Sequence, residues 1–211
     1  MTPFGVRTCA VILCVLIGAS LFAETFRFQA QKMSGSRASG KEQTVLEGAA
    51  QVLSDTLTLK ADRIELSGDE NRFVDCFGSV TGFDEKKGIF FRALRLRYDR
   101  KVKIARLEGD SALEDKKNGV IAKARFIEYN DTNGTTVLQI GVRLFKDELI
   151  CRSEWALYRR DEKKLELAGT PVVFKKGDEF RADRMRVDLD TDDIFMEGSV
   201  SGSIKEKKSD Q

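Results

Sequence analysis

Thr56-Leu57-Thr58-Leu59-Lys60-Ala61-Asp62-Arg63-Ile64-Glu65-Leu66 carries an alternating pattern that breaks once. Leu57, Leu59 and Ala61 alternate with polar residues, the period-2 pattern of a half-buried strand. After Ala61 the phase slips, and the next apolar residues are Ile64 and Leu66, three and five places on. A one-residue slip normally turns a strand inside out. The same side chains stay inside only if the strand bends or bulges at the slip.

The slip recurs. Ala93 is followed by Leu96 and Tyr98, Ala124 by Ile127 and Tyr129, and Ala182 by Met185 and Val187; Ser153, Ala156 and Tyr158 form a weaker copy. Ala182-Asp183-Arg184 repeats Ala61-Asp62-Arg63. Glycine keeps the same beat: Gly48, Gly78, Gly109, Gly141, Gly169 and Gly198 follow one another at intervals of 30, 31, 32, 28 and 29 residues. A period of this length marks a stacked, quasi-one-dimensional architecture. A small residue at the slip lets two sheet walls approach closely, so the slip reads as a corner.

Composition narrows the function. The 211 residues are 41% hydrophobic and 33% charged, which supports a packed core rather than a disordered chain. Lys and Arg total 36 against 34 Asp and Glu, leaving no net field to recruit nucleic acid. Histidine is absent, which removes the usual general base and the commonest metal ligand. Cys9 and Cys14 lie in the apolar N-terminal segment; Cys76 and Cys151 show no CxxC or zinc spacing and read as two separately buried thiols. No catalytic residue, metal site or cofactor is expected.

Residues 1–23 read as a secretory signal: Arg7 gives a basic start, residues 9–17 an apolar core, and Ala23 the last residue removed. Leu21 fits the cleavage pattern poorly, so an uncleaved inner-membrane anchor stays open. Residues 24–43, rich in Ser and Gly, read as a flexible lead-in with one short strand at 26–29. Residues 44–204 hold about ten-residue alternating runs separated by turn signals such as Asn118-Gly119 and Asn133-Gly134. Residues 205–211 read as a disordered polar tail. Short turns demand antiparallel neighbours. The expected fold is therefore all-β: a twisted antiparallel sheet of about 11–14 kinked strands, folded over on itself as a β-jellyroll. A parallel β-helix is the competing reading of the period.

Leu57-Thr58-Leu59-Lys60-Ala61-Asp62, Gly78-Ser79-Val80, Ala182-Asp183 and Gly198-Ser199-Val200 resemble the OstA-like family, the family of lipopolysaccharide-transport protein A, its membrane-anchored partner protein C and the N-terminal domain of the outer-membrane protein D. The resemblance spans residues 44–204. It implies a periplasmic β-jellyroll that carries the acyl chains of a glycolipid in an apolar groove, between partner jellyrolls at the inner and outer membranes, and that joins end to end. The sequence departs from that pattern at Gly-Ser before Val80 and Val200, where Gly-Asn or Gly-Asp is expected, and in the fourth period, which lacks Ala-Asp.

Creased strands that keep one face apolar give an inner wall of Leu57, Leu59, Ile64, Leu66, Phe91, Leu96, Tyr98, Ile127, Tyr129, Phe180, Met185 and Val187. That wall is either a lipid-holding trough or the dry core of an envelope scaffold, and the resemblance favours the trough. The sheet edges near 44–53 and 194–204 are either open, which suits head-to-tail self-association, or capped by the Ser/Gly lead-in and the charged tail. Arg92, Arg95, Arg97, Arg125, Arg181, Arg184 and Arg186 alternate with apolar residues and read as a solvated face. Asp62 and Asp183 occupy equivalent repeat positions, which suits a structural role at the corner better than a catalytic pair.

Overall fold

A computed structural model describes residues 27–36, 38, 42–54 and 56–205; the expected signal segment and nearly all of the polar tail lie outside the described residues. Among the described residues the chain forms one antiparallel sheet of 16 strands, with a single turn of 3-10 helix at Asp69–Asn71. Two short strands, β1 (Arg27–Gln29) and β2 (Lys32–Ser36), come first. Eight long strands follow by hairpins: β3 (Gln43–Leu53), β4 (Leu57–Ser67), β5 (Phe73–Asp84), β6 (Ile89–Asp99), β7 (Ile104–Asp115), β8 (Val120–Asn130), β9 (Thr135–Lys146) and β10 (Leu149–Arg159). The chain ends in three creased strands, each split in two: β11 with β12 (Lys164–Ala168, Val172–Lys175), β13 with β14 (Asp178–Arg181, Arg184–Asp188) and β15 with β16 (Ile194–Glu197, Ser201–Ser203). Eleven creased strands therefore account for the period, and the splitting accounts for the higher count. Both Asn-Gly turns have glycine at φ +65°, as that turn chemistry requires.

The two sequence markers are the two sides of one crease. Glu47 pairs with Arg63 and Ala50 with Ala61, so Gly48 and Ala49 stand opposite Asp62 alone. Gly78 and Ser79 stand opposite Leu94 in the same way, Gly109 and Asp110 opposite Arg125, and Ile140 and Gly141 opposite Glu154. Two residues against one is a β-bulge, which bends the strand. Three of these four bulges carry two successive left-handed residues, for example Gly78 at φ +69° and Ser79 at +47°. On the glycine strands the inward side chains step by four, as from Cys76 to Val80; on the partner strands they step by three, as from Ala61 to Ile64. The inner face thus continues past the bend on both kinds of strand.

Each bent strand contributes to two walls that share one core. Leu59 and Ile64, on opposite sides of the bend in β4, are both buried. So are Leu46, Leu107, Leu138, Leu144, Cys151, Leu165 and Leu167, which with them form a single cluster along the sheet. Burying apolar surface at about 25 cal/mol per Å² drives this folding-over, because a flat sheet would leave that face wet.

At the N-terminal edge the lead-in covers the sheet. Residues 44–53 are not a free edge, because β1 pairs with one half of β3 and β2 with the other. β1 falls on the short strand expected at 26–29, and β2 is a second strand in the lead-in. The bend in β3 explains the division: one straight partner cannot follow both halves, so two short strands do. At the other end, β15 pairs only with β14 and β16 only with β13 among the described residues.

Candidate functional site

The inner wall takes its shape from the crease. Of the twelve residues expected there, Leu59, Ile64, Leu96, Ile127, Met185 and Val187 are buried. Leu66, Phe91, Tyr98, Tyr129 and Phe180 are half-buried and packed against that cluster. Leu57 is half-buried at the start of β4. The Phe91 ring lies over its cross-strand partner Gly82, in space that a Cβ there would occupy. Sequence reasoning missed the glycine-strand half of the wall, including Leu46, Cys76, Leu107 and Leu138. Their signal is the four-residue step across each glycine.

Asp62 and Asp183 sit at the crease, not in a reactive pair. Their carboxylates lie over Gly78 and Gly198, where a Cβ would come within 2.2 and 2.3 Å of an Oδ2. The Ser199 hydroxyl donates to Asp183 Oδ2 at 3.2 Å. In the fourth period Glu154 takes this place and accepts the Gly141 N–H at 3.2 Å. A carboxylate holds this place in three periods, and Leu94 and Arg125 hold it in the other two.

Opposite the crease, the hairpins at the two ends of the bent strands meet along a polar seam. One lip carries the β5–β6, β7–β8 and β12–β13 turns; the other carries the β8–β9, β10–β11 and β14–β15 turns. Three ion pairs cross between them: Lys87 with Asp131, Asp115 with Arg160, and Lys175 with Asp192. The middle bridge is the buried one, with the Asp115 side chain 0% exposed and Arg160 14%. Arg160 Nε and Nη2 donate to Asp115 at 2.8 and 3.1 Å, the Tyr158 hydroxyl at 3.0 Å and Asn118 Nδ2 at 2.8 Å. Burial pushes the Asp115 carboxyl up, but these donors outweigh it and hold the group below its ordinary value. Burial, with Asp115 and Asp131 alongside, raises the Tyr158 and Tyr129 hydroxyls.

The interior reaches the surface between the β12–β13 and β14–β15 hairpins. A cavity of about 340 Å³ there is lined by Phe180, Ile194 and Met196, which pack on the core, and is rimmed by Lys175, Lys176 and Asp192. A larger hollow, about 430 Å³, lies beside Trp155, Arg186 and Phe195, and the core residues Leu167 and Met185 also line it. Arg95 and Arg97 lie outside as well, against Asp75 and over the Phe77 and Phe73 rings. Cys76 and Cys151 are buried free thiols; desolvation pushes Cys151 up to about 12. No group of three or more metal-ligating side chains occurs among the described residues.

A sheet folded lengthwise around an apolar interior, with a polar seam and an open mouth, defines the β-jellyroll class. Residues 29–193 match the family model described as LptA/(LptD N-terminal domain) LPS transport protein, and the chain belongs to that family. It is accordingly a transport-family protein and not an enzyme. No curated protein matches the sequence. Among solved structures, the chain is similar to LptH of Pseudomonas aeruginosa, described as the LptA-homologous periplasmic component of the lipopolysaccharide transport device. Identity is 12%, coverage 87% of this chain and 96% of that one, and the TM-score 0.28.

Proposed function

We propose that the chain is a periplasmic carrier that holds the acyl chains of lipopolysaccharide or a related envelope glycolipid between its two walls. It hands the lipid from the inner to the outer membrane. The observation that carries this reading is an inner face of apolar side chains that is continuous from β3 to β15 and opens at the Phe180–Ile194–Met196 mouth. Each methylene moved from water into such an interior contributes about 0.8 kcal/mol, so eight contribute about 6 kcal/mol with no catalyst involved. Leu57, Leu59, Ile64, Leu66, Phe91, Leu96, Tyr98, Ile127, Tyr129, Phe180, Met185 and Val187 line the path. The unpaired sides of β15 and β16 are where a neighbouring jellyroll, or a second copy, adds its strand.

The test is photo-crosslinking from Tyr98 or Ile127 to acyl chains of lipid purified from the same envelope. Capture of acyl chains supports the reading, and failure of any lipid to bind the delipidated secreted chain removes it. The near-complete burial of Ile64, Ile127 and Leu138 favours a second reading, a scaffold with a dry core. That reading expects self-association without ligand. N-terminal sequencing separates a soluble carrier, starting at Glu24, from an anchored partner.

A further inference from the structure

We propose that the Asp115–Arg160 bridge is a gate in the seam, and that Arg160 takes the anionic group of the ligand when the gate opens. This rests on the carrier reading above. An amphiphile with its chains between the walls keeps its polar head out of the interior, because an unpaired polar group there is costly. The head therefore rides in the seam. The Lys87–Asp131 and Lys175–Asp192 pairs that it meets are partly exposed and yield readily. Asp115–Arg160 is buried and bidentate, and it bars the middle of the path.

The two sides of the bridge are not equally provided for. Without Arg160, Asp115 keeps donors from its own hairpin: the Lys117 N–H at 3.2 Å, the Asn118 N–H at 3.4 Å and Asn118 Nδ2 at 2.8 Å. Without Asp115, the acceptor that remains to the Arg160 side chain is the Lys87 carbonyl, at 2.7 Å on the opposite lip. Opening thus satisfies the carboxylate and leaves the guanidinium short of an anion. A phosphate presents the same forked pair of oxygens that Asp115 presents when the gate is shut. The ligand class is an amphiphile with a phosphate or carboxylate head, which enters by exchange with Asp115.

The experiment uses dodecyl phosphate and its uncharged counterpart of equal chain length, dodecyl maltoside, in calorimetric titrations of the secreted chain. The phosphate should bind about tenfold tighter, the scale of a hydrogen-bonded contact to a charged group. Arg160→Gln should abolish that preference, and Arg160→Lys should retain part of it. Asp115→Asn should tighten phosphate binding, because the internal competitor is gone. Spin labels at Lys117→Cys and Asp161→Cys, both exposed on facing turns, read the gate with the bridge intact. Their separation should widen with dodecyl phosphate. An undiminished preference in Arg160→Gln, or an unchanged label distance with phosphate bound, overturns the gate. Binding of neither amphiphile overturns the carrier reading instead.

Discussion

Gly109→Ala measures how much the crease depends on the absence of a side chain. Gly109 has φ +93°, and a Cβ there would lie 2.8 Å from Cβ, Cγ and Cδ1 of Leu94 on the facing strand. Left-handed backbone costs an L-residue about 1–2 kcal/mol. Overpacking adds about 1–3 kcal/mol, and Leu94 cannot swing clear because its own Cβ is among the colliding atoms. The expected total is about 2–5 kcal/mol. Gly141→Ala is the control: its φ is +66°, but nothing lies within 4 Å of the added Cβ, so it should lose only the backbone part, about 1–2 kcal/mol. Urea unfolding followed by the fluorescence of Trp155, the chain's one tryptophan, reads both. Leu94→Gly in the Gly109→Ala background should return the steric part, a coupling of about 1–3 kcal/mol in a double-mutant cycle. Equal losses for Gly109→Ala and Gly141→Ala, or zero coupling, refute the close approach as the reason for glycine.

Ile127→Ala and Leu138→Ala should each destabilise by about 2–5 kcal/mol in the same assay, whereas Leu94→Ala, 62% exposed, should change stability by less than about 0.5 kcal/mol. Asp115→Ala should lose about 3 kcal/mol, because Arg160 is left half-buried without its carboxylate. The Asp115 carboxyl is held below its ordinary 3.8, so its contribution is present above that pH and disappears as the pH falls through the lowered value. Acid titration of wild type should therefore show a stability loss that Asp115→Asn lacks. Cys76 and Cys151, buried and shifted up, should react with a thiol reagent at pH 8 only as fast as the chain unfolds; rapid labelling in the folded state would contradict their placement.

The fold was legible because the corner is written twice. Ala61-Asp62 and Gly78-Ser79 are read independently in the sequence, one as a phase slip and the other as a periodic glycine. What no single strand displays is that they face each other, since register is a relation between strands. The pairing also explains the odd fourth period. Glu154 replaces the aspartate and Ile140-Gly141 inverts the glycine order, yet the two-against-one count survives. The N-terminal cover was harder to read. β1 falls on the short strand expected at 26–29, whereas β2 is short, exposed and Ser- and Gly-containing, and what makes it a strand is the unpaired flank of β3 rather than any pattern of its own.

The seam was not legible at all, for a physical reason. Asp115 and Arg160 are 45 residues apart, each in a turn whose local signal is only that of a charged loop. Periodicity reports which face a side chain takes; it does not report which turns meet when a sheet folds over. That meeting is fixed by the twist, which sets β5–β6 against β8–β9 and β7–β8 against β10–β11, each about three strands further on, while at the C-terminal end β12–β13 meets β14–β15. The same geometry divides the labour of the molecule. The crease is held by backbone pairing and left-handed bulge residues, so it stays shut. The seam is held by side chains whose bonds exchange for others of the same kind, so the wall opposite the crease is the one that can open.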